Sequence, residues 1–246
     1  MSDSILREDF EGWTQLALNR PDKLNSLNVE MFQLLRDHIE DLQTAEGAIR
    51  CVVLRGAGKC FSAGHDLGGI AAGETTPSRG WHSEILRMLE KLPIPVVAAV
   101  HGHCYTGALE VALAADFIIA SETARFGDTH AKFSLTPVWG MSVRLPRRVG
   151  IATAKRLMFT ADMFGADEAV RIGLAEYAVP KDEFDAEIIR LANQIASQSP
   201  FSHAAMKRLL ENADGQAADA ALVREWMETE GRGPDMHERI NAVMKK

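Results

Sequence analysis

The pattern of apolar and polar positions changes its period several times along the first half of the chain. Residues 13–19 alternate between apolar and polar side chains, which is typical of a strand with one buried face. Residues 50–56 form a short apolar run that ends at a glycine, which indicates a buried strand. Between them, apolar side chains recur at steps of three and four behind Asn28 as the capping residue, and they predict an amphipathic helix that ends near Gly47. The apolar positions of this helix are Val29, Phe32, Leu35, Ile39 and Leu42.

A second unit of the same kind follows. Residues 68–80 are rich in Gly, Ala, Thr, Ser and Pro, and we expect them to form a loop or a mobile lid. Strands that alternate with helices and are apolar throughout pair in parallel, so the sequence predicts an α/β fold with right-handed crossovers. The elements after the loop are a helix marked by Ile85, Leu89 and Leu92 that stops at Pro93, a strand over residues 96–100, a helix over 107–115 and a strand over 117–120.

Beyond residue 150 the pattern becomes helical. Apolar residues at 184, 188, 191 and 195 form one stripe behind Asp182, which is expected to cap the helix. Three more helices are predicted over residues 200–212, 217–230 and 234–244. We therefore divide the chain into a core of residues 1–195 and a helical module of residues 196–246. This module is too small to bury a core of its own, which favours a role in oligomer contacts.

Composition narrows the classes of protein that fit. With 246 residues, of which 46% are hydrophobic and 25% charged, the chain is expected to be globular. A net charge of −7 argues against nucleic-acid binding, which needs a basic surface. The first 13 residues carry five charges, and no apolar stretch is long enough to span a bilayer, so we expect neither a signal peptide nor a membrane segment. Three scattered cysteines suggest no disulfide framework, and a cytoplasmic location is expected.

Two glycine-bearing turns are the first candidates for chemistry. Residues 61–67 (FSAGHDL) follow one buried strand, and residues 101–110 (HGHCYTGALE) lead from another strand into a helix. Backbone N–H groups on small residues at such a turn can hold an anion or a developing oxyanion. Neither turn matches a phosphate-binding loop. From spacing alone, tight turns and close packing explain these glycines slightly better than an anion site does.

Together these motifs resemble the enoyl-CoA hydratase/isomerase, or crotonase, family. The resemblance rests on residues 61–67 and 95–117, on NRP at 19–21 followed by LNSL at 24–27, and on a series of later positions. It implies a crotonase-like ββα spiral core with a C-terminal helical trimerisation module, assembled as a homotrimer or as a hexamer made of two trimers. It also implies an acyl-CoA thioester as the partner, with coenzyme A as part of the substrate and with no separate cofactor or metal. The later positions are Phe126-Gly127, Pro137, Arg144-Leu145, Gly150 and residues 165–169 before Gly173-Leu174.

The resemblance assigns roles residue by residue. The backbone N–H groups of His65 and Gly107 are implied to form an oxyanion hole for the thioester enolate. Glu110 matches the first of the two glutamates that hydratases of this family use. A glutamate on so apolar a helix is otherwise explained as a buried carboxylate that an arginine or the backbone satisfies. Residues implied to contact coenzyme A or the acyl group are Lys23, Leu24, Ala63, Asp66, Leu67 and Trp139.

The chain departs from the family pattern where the second glutamate is expected. The motif FGxPE becomes Phe126-Gly127-Asp128-Thr129-His130, so His130 takes the place of the glutamate and Thr129 that of the proline. A histidine has a pKa suited to acid–base catalysis near neutral pH, and His130 is either this acid–base group or a polar lining residue. Asp128 is a second candidate for the same work.

Three further positions also depart from the pattern. Thr106 replaces the usual Ala or Gly before the oxyanion glycine, and Trp139 replaces a small residue and is expected to narrow the pocket. His65 in FSAGHD also resembles methylmalonyl-CoA decarboxylases, although the tyrosine that acts with that histidine is not matched here. The histidines at 65, 101, 103 and 130 have no common zinc spacing, so no metal is expected.

The sequence therefore predicts an acyl-CoA-processing enzyme, with hydration of a trans-2-enoyl-CoA to a 3-hydroxyacyl-CoA as its reaction. The alternatives within the fold are double-bond isomerisation, decarboxylation and thioester hydrolysis, which share the oxyanion hole. An alternative of another class is an acyl-CoA-binding protein without catalytic activity.

Overall fold

Short strands in two sheets form the framework of the protein. The structure, a computed structural model, describes residues 4–44, 47–216 and 231–244 together with positions 220, 223 and 227. Within these residues the strands are β1 (Ile5–Phe10), β2 (Trp13–Leu18), β3 (Val52–Gly56), β4 (Val96–Val100), β5 (His103–Tyr105), β6 (Phe117–Ser121), β7 (Arg125–Gly127), β8 (Phe164–Gly165) and β9 (Tyr177–Val179).

The main sheet has the strand order β1-β2-β3-β4-β6-β9. β1 and β2 form an antiparallel hairpin, and every later pair in this sheet is parallel. The register places Val52 beside Val96 and Val97 beside Phe117. The parallel pairing expected from the apolar runs is therefore confirmed, because strands covered on both faces carry apolar side chains throughout.

A second, smaller sheet has the strand order β5-β7-β8 and shares no strand with the main sheet. β5 and β7 are parallel, with Cys104 beside Phe126 and Tyr105 beside Gly127. The chain leaves both strands at the same edge, because parallel strands end side by side. The segment that begins at Thr106 and the segment that begins at Asp128 thus start as neighbours, and these two segments carry Glu110 and His130.

The predicted helices occur in the predicted order with different bounds. Residues 67–71, at the start of the stretch expected to be a loop, form a short helix that the Asp66 side chain caps. Asn28 caps α1 as predicted, with its side-chain oxygen accepting from the Met31 N–H at 3.0 Å. The cap predicted at Asp182 is wrong, since α8 begins at Phe184 and Glu183 holds the N-cap position without a side-chain hydrogen bond. Of the helix predicted over 217–230, the structure describes positions 220, 223 and 227, which are helical; the other residues lie outside the described residues. The helices are α1 (Val29–Thr44), α2 (Leu67–Ala71), α3 (Trp81–Glu90), α4 (Gly107–Leu113), α5 (Met141–Val149), α6 (Ile151–Thr160), α7 (Ala166–Arg171), α8 (Phe184–Ala196), α9 (Pro200–Ala213) and α10 (Met236–Met244).

The main sheet is covered on both faces. On one face α1, α3 and α4 pack their apolar side chains into a large core that includes Phe32 and Leu86. On the other face α8 packs Ile188 against Trp13 and Val97. α9 buries none of its residues, and no helix in the described segments is long and apolar enough to cross a bilayer. The division of the chain at residue 195 stays a prediction.

Candidate active site

The two glycine turns predicted from the sequence lie against each other. The Phe61 N–H donates to the His101 carbonyl at 2.7 Å, and the Ser62 N–H donates to the His103 carbonyl at 2.8 Å. Gly64 then adopts φ +101°, and a Cβ at this position would lie 2.6 Å from the Tyr105 carbonyl oxygen. Only glycine allows both this backbone conformation and this close approach.

Two backbone N–H groups converge where the turns meet. A Cβ built on Gly107 would lie 3.3 Å from the His65 nitrogen, and one built on Gly64 would lie 3.6 Å from the Gly107 nitrogen. Among the hydrogen bonds of the described residues, neither the His65 N–H nor the Gly107 N–H has an acceptor. Two adjacent unpaired donors beside a cavity are suited to holding one oxygen atom that carries negative charge.

Trp139 lies directly over Gly107. A Cβ on Gly107 would be 2.5 Å from Cζ3 of the indole, so only glycine fits beneath this ring. Trp139 is 4% exposed and packs with its ring centroid 4.8 Å from that of Phe32 and 4.7 Å from that of His82. The guanidinium of Arg144 holds the Trp139 carbonyl at 2.8 Å. The expected narrowing of the pocket therefore takes the form of an aromatic wall beside the two N–H donors.

Glu110 is the buried carboxylate of the site. It is 1% exposed, on the first turn of α4. Its Oε1 accepts from the Trp139 N–H at 3.0 Å and from the Met141 N–H at 2.9 Å, while its Oε2 lies 4.0 Å from His130 Nε2. Burial raises the pKa of this carboxyl, although the two backbone donors and His130 oppose the shift. The backbone fixes one oxygen and leaves the other directed towards His130.

His130 stands between two carboxylates. Its Nδ1 lies 2.5 Å from Oδ1 of Asp128, which also accepts from the His130 N–H at 3.2 Å. Burial lowers the pKa of His130, but the hydrogen bond to Asp128 and the charges of Asp128 and Glu110 outweigh it, so the net shift is upward. A proton on Nδ1 is held by Asp128, and Nε2 is left to face Glu110. Asp128, which the sequence offers as a second candidate for the acid–base group, instead orients the His130 imidazole through this hydrogen bond.

These groups open into one cavity of about 630 Å³. Its lining includes Glu110, His130, Gly107, His65 and Trp139. The remaining lining is mostly apolar, which suits an acyl chain better than a charged ligand. The further lining residues are Ala63, Leu67, Ile70, His82, Tyr105, Thr106, Thr129, Lys132, Phe133, Ser134, Leu135, Thr136, Val138 and Met163.

One cluster of potential metal ligands beside the cavity was not predicted from the spacing of residues in the sequence. His65, Glu74 and His82 offer metal-ligand atoms that lie within 4.8 Å of one another, which is the single such group in the described part of the chain. His65 Nε2 and Glu74 Oε1 are 3.0 Å apart, and burial lowers the pKa of His82 to about 4. The prediction that no metal is bound stays a prediction.

The other predicted contact residues divide into two groups. Ala63 and Leu67 line the cavity, as Trp139 does. Lys23, Leu24 and Asp66 lie outside its lining: Lys23 is exposed, and the Leu24 carbonyl accepts from the Ala63 N–H at 2.9 Å. Asp66 caps α2 through Gly68 and pairs with Arg20 at 3.1 Å. A role of these three residues in binding coenzyme A stays a prediction.

Comparisons with known proteins agree with this architecture. The sequence model of the family described as "Enoyl-CoA hydratase/isomerase" matches residues 9–229. The chain is 34% identical over 204 residues to crotonyl-CoA hydratase of Syntrophomonas wolfei, which covers 81% of this chain and 78% of that protein. It is 31% identical to 1,2-epoxyphenylacetyl-CoA isomerase of Escherichia coli, which covers 100% of this chain and 97% of the relative. The crystal structure of enoyl-CoA hydratase from Bacillus anthracis superposes with a TM-score of 0.92 at 30% identity, covering 98% of this chain and 96% of the other.

Proposed function

Because the chain belongs to the enoyl-CoA hydratase/isomerase family, we propose that it adds water across the double bond of a trans-2-enoyl-CoA and releases a 3-hydroxyacyl-CoA. The observation that carries this proposal is that one cavity is lined both by the Glu110–His130 pair and by His65 and Gly107, whose N–H groups have no acceptor among the described residues. The relatives named as hydratases support the same reaction.

The His65 and Gly107 N–H groups would hold the thioester oxygen. Water attack at the β carbon moves negative charge onto that oxygen, and donors positioned for it in advance stabilise the enolate more than the substrate. Removing one such donor typically costs about 3–4 kcal/mol of barrier. The charge needs no metal ion in this scheme.

The proton transfers would use Glu110 and His130. A gap of 4.0 Å between Glu110 Oε2 and His130 Nε2 suits a water molecule that contacts both groups. Ionised Glu110 accepts one proton as the water oxygen attacks the β carbon, and protonated His130 donates one to the α carbon. A proton passed from Glu110 to His130 then restores the starting state, and the sum of these steps is the addition of one water molecule.

Double-bond isomerisation is the second candidate. The same two side chains can take a proton from one carbon of the acyl chain and return it to another through the enolate, without adding water, and the matching family model is described as both hydratase and isomerase. Decarboxylation through the His65 imidazole is less well supported, since its Nε2 is already hydrogen-bonded to Glu74.

Turnover of crotonyl-CoA by the purified protein tests the proposal. We expect the absorbance of the conjugated thioester to fall, and mass spectrometry to find a product heavier by one water molecule. Isomerisation is tested on a 3-enoyl-CoA, where absorbance rises at constant mass. Tight binding of acyl-CoA with no turnover of any enoyl-CoA would contradict both proposals and favour a protein that only binds its ligand.

Substitutions at His65 test whether its backbone N–H or its imidazole side chain contributes to catalysis. His65→Ala keeps the N–H and is expected to retain kcat within about tenfold of the unmodified protein. His65→Pro has no N–H and is expected to lose roughly 10²–10³-fold in kcat, as for removal of an oxyanion donor. Circular dichroism and the melting temperature are measured for both variants to verify folding. A larger loss in a folded His65→Ala variant would indicate a side-chain role and favour decarboxylation.

We also propose an acyl-CoA substrate, a homotrimer or a hexamer of two trimers, and a cytoplasmic location. Large apolar side chains exposed on α6 and α9 support an oligomer, among them Phe159 at 75% and Leu210 at 74%. All three cysteines are free and buried, as is usual in a reducing compartment. Sedimentation velocity measures the oligomeric state, and a monomer at micromolar concentration would contradict this part of the proposal.

A further inference from the structure

Thr106 is held in a backbone conformation that threonine rarely adopts. It has φ 52° and ψ −109°, in the region of positive φ where a β-branched side chain is crowded. The residue lies between the end of β5 and Gly107, and it lines the cavity. A strained residue persists where the surrounding contacts require it, and such residues concentrate at functional sites.

The hydrogen bonds of Thr106 outside α4 all lead to the segment that carries His130. Its N–H donates to the Gly127 carbonyl at 2.9 Å, and its Oγ1 accepts from the Thr129 N–H at 3.0 Å. The two hydroxyl groups, Thr106 Oγ1 and Thr129 Oγ1, lie 2.5 Å apart. Thr129 is 8% exposed, so these bonds are largely shielded from water.

The position of these bonds shows what they hold together. Pairing between β5 and β7 ends at Tyr105 and Gly127. Beyond that point the connection between the two segments is made by the Thr106 side chain, whose hydroxyl is hydrogen-bonded to Thr129, the residue before His130. Thr106 itself is the residue before Gly107. The bonds therefore fix the segment that bears the acid–base imidazole relative to the segment that bears the oxyanion donor.

We propose that Thr106 and Thr129 form a clamp, the Thr106–Thr129 clamp, that positions His130 relative to the Gly107 N–H for the reaction. The inference rests on the proposed function. Thr106 and Thr129 are positioning residues, since they act through His130 and Gly107.

Two residue choices in the sequence support a clamp of this kind. A glycine at 106 would relieve the backbone strain but would offer no hydroxyl acceptor. A proline at 129 would have no N–H to donate. The chain departs from the family pattern at both positions, and the two departures contact each other. A buried donor and acceptor that satisfy each other are retained together, because losing one leaves the other unpaired.

Three substitutions at Thr106 separate the clamp from a merely structural role. Thr106→Ser keeps the hydroxyl and is expected to retain kcat within about threefold. Thr106→Val keeps the shape without the acceptor, and Thr106→Gly removes both the strain and the acceptor. Both are expected to lose roughly 10–100-fold in kcat for crotonyl-CoA, with KM changed by less than about threefold, since small misplacements of a reacting group have effects of this size. Thr160→Val, which removes an exposed hydroxyl at the end of α6, is the matched control.

A structural role predicts another order. If Thr106 mattered only for stability, Thr106→Gly would be the mildest of the three variants, because it relieves the strained backbone. Wild-type kcat in Thr106→Val, or kcat in Thr106→Gly as high as in Thr106→Ser, would overturn the clamp. The melting temperature of each variant accompanies the kinetics, so that a variant that does not fold is recognised and left out of the comparison.

A second measurement needs no substrate and separates failure of the clamp from failure of the proposed function. The Thr129 amide is expected to exchange its hydrogen about tenfold faster in Thr106→Val and Thr106→Gly than in Thr106→Ser, since the acceptor is lost. Mass spectrometry of peptides that span residues 127–133 measures this exchange. Unchanged exchange in all three variants would overturn the clamp even if the protein hydrates enoyl-CoA. Faster exchange in a protein that turns over no enoyl-CoA would overturn the proposed function and leave the contact in place.

Discussion

Glu110→Gln is expected to lower kcat for enoyl-CoA hydration by roughly 10²–10⁴-fold, the usual range for loss of a general base. The glutamine matches the carboxylate in size, and its side-chain oxygen can still accept from the Trp139 and Met141 N–H groups. Its amide nitrogen takes the position that faces His130 and cannot accept a proton. The change therefore removes the proton acceptor and leaves most of the packing intact.

The control for this substitution is Glu168→Gln on α7, where the carboxylate pairs with Arg156 and Arg171 away from the cavity. It is expected to leave kcat unchanged. The melting temperature of Glu110→Gln is measured beside it. If folded Glu110→Gln hydrates every enoyl-CoA tried as fast as the unmodified protein, Glu110 is a structural carboxylate and the proposed mechanism is wrong.

His130→Ala is expected to lower kcat by a similar factor, roughly 10²–10⁴-fold, because it removes the group that donates a proton to the α carbon.

The pH dependence of kcat provides a second test of the same pair of residues. Activity requires protonated His130, so kcat falls as the pH rises through a His130 pKa that its carboxylate partners hold above the ordinary value. Activity also requires ionised Glu110, so kcat falls as the pH drops through a Glu110 pKa that burial raises. Because Glu110 and His130 are 4.0 Å apart, their titrations are coupled, and the acidic and alkaline limbs of the pH profile report pKa values of the pair and not of either residue alone.

Asp128→Asn tests the partner that orients His130. Removing this charge removes a contribution that raises the pKa of His130 and one that raises the pKa of Glu110. Both limbs of the profile are therefore expected to move to lower pH. An unmoved alkaline limb would show that protonated His130 is not the group that titrates there. His203→Ala on α9, away from the cavity, is the control for loss of an imidazole.

The structure also changes an expectation that the family pattern suggests. By pattern alone, His130→Glu restores a second glutamate and preserves or raises hydration. In the fold, however, the introduced carboxylate would stand beside Asp128, which is 1% exposed and has an Oδ2 without a partner among the described residues. Like charges this close are unfavourable. We therefore expect the double substitution Asp128→Asn with His130→Glu to be more active than His130→Glu alone.

The parallel centre of the sheet, the first helix and the two glycine turns could all be predicted from the sequence. Each of these features leaves a local signal: an apolar run for a strand covered on both faces, a repeat of three and four for a helix, and a glycine where a positive φ or a close contact is required. Gly64 meets both of the last conditions. Glu110 was also identified from the sequence, because a carboxylate on an apolar helix is unusual unless it is paired or functional.

Which side chains act together could not be predicted from the sequence, because it depends on how distant segments pack in the fold. β5 and β7 have three residues each and are too short to show a period, yet their pairing brings Thr106 within hydrogen-bond distance of Thr129. The sequence offers Asp128 as a second candidate for the acid–base role of His130. In the fold its Oδ1 lies 2.5 Å from His130 Nδ1, where it orients the imidazole. His65, Glu74 and His82 are nine and eight positions apart in the sequence, and the fold brings them together beside the cavity. A pattern along the chain reports whether a residue is buried, whereas contacts between distant segments depend on strand register and on the angle at which each turn leaves its strand.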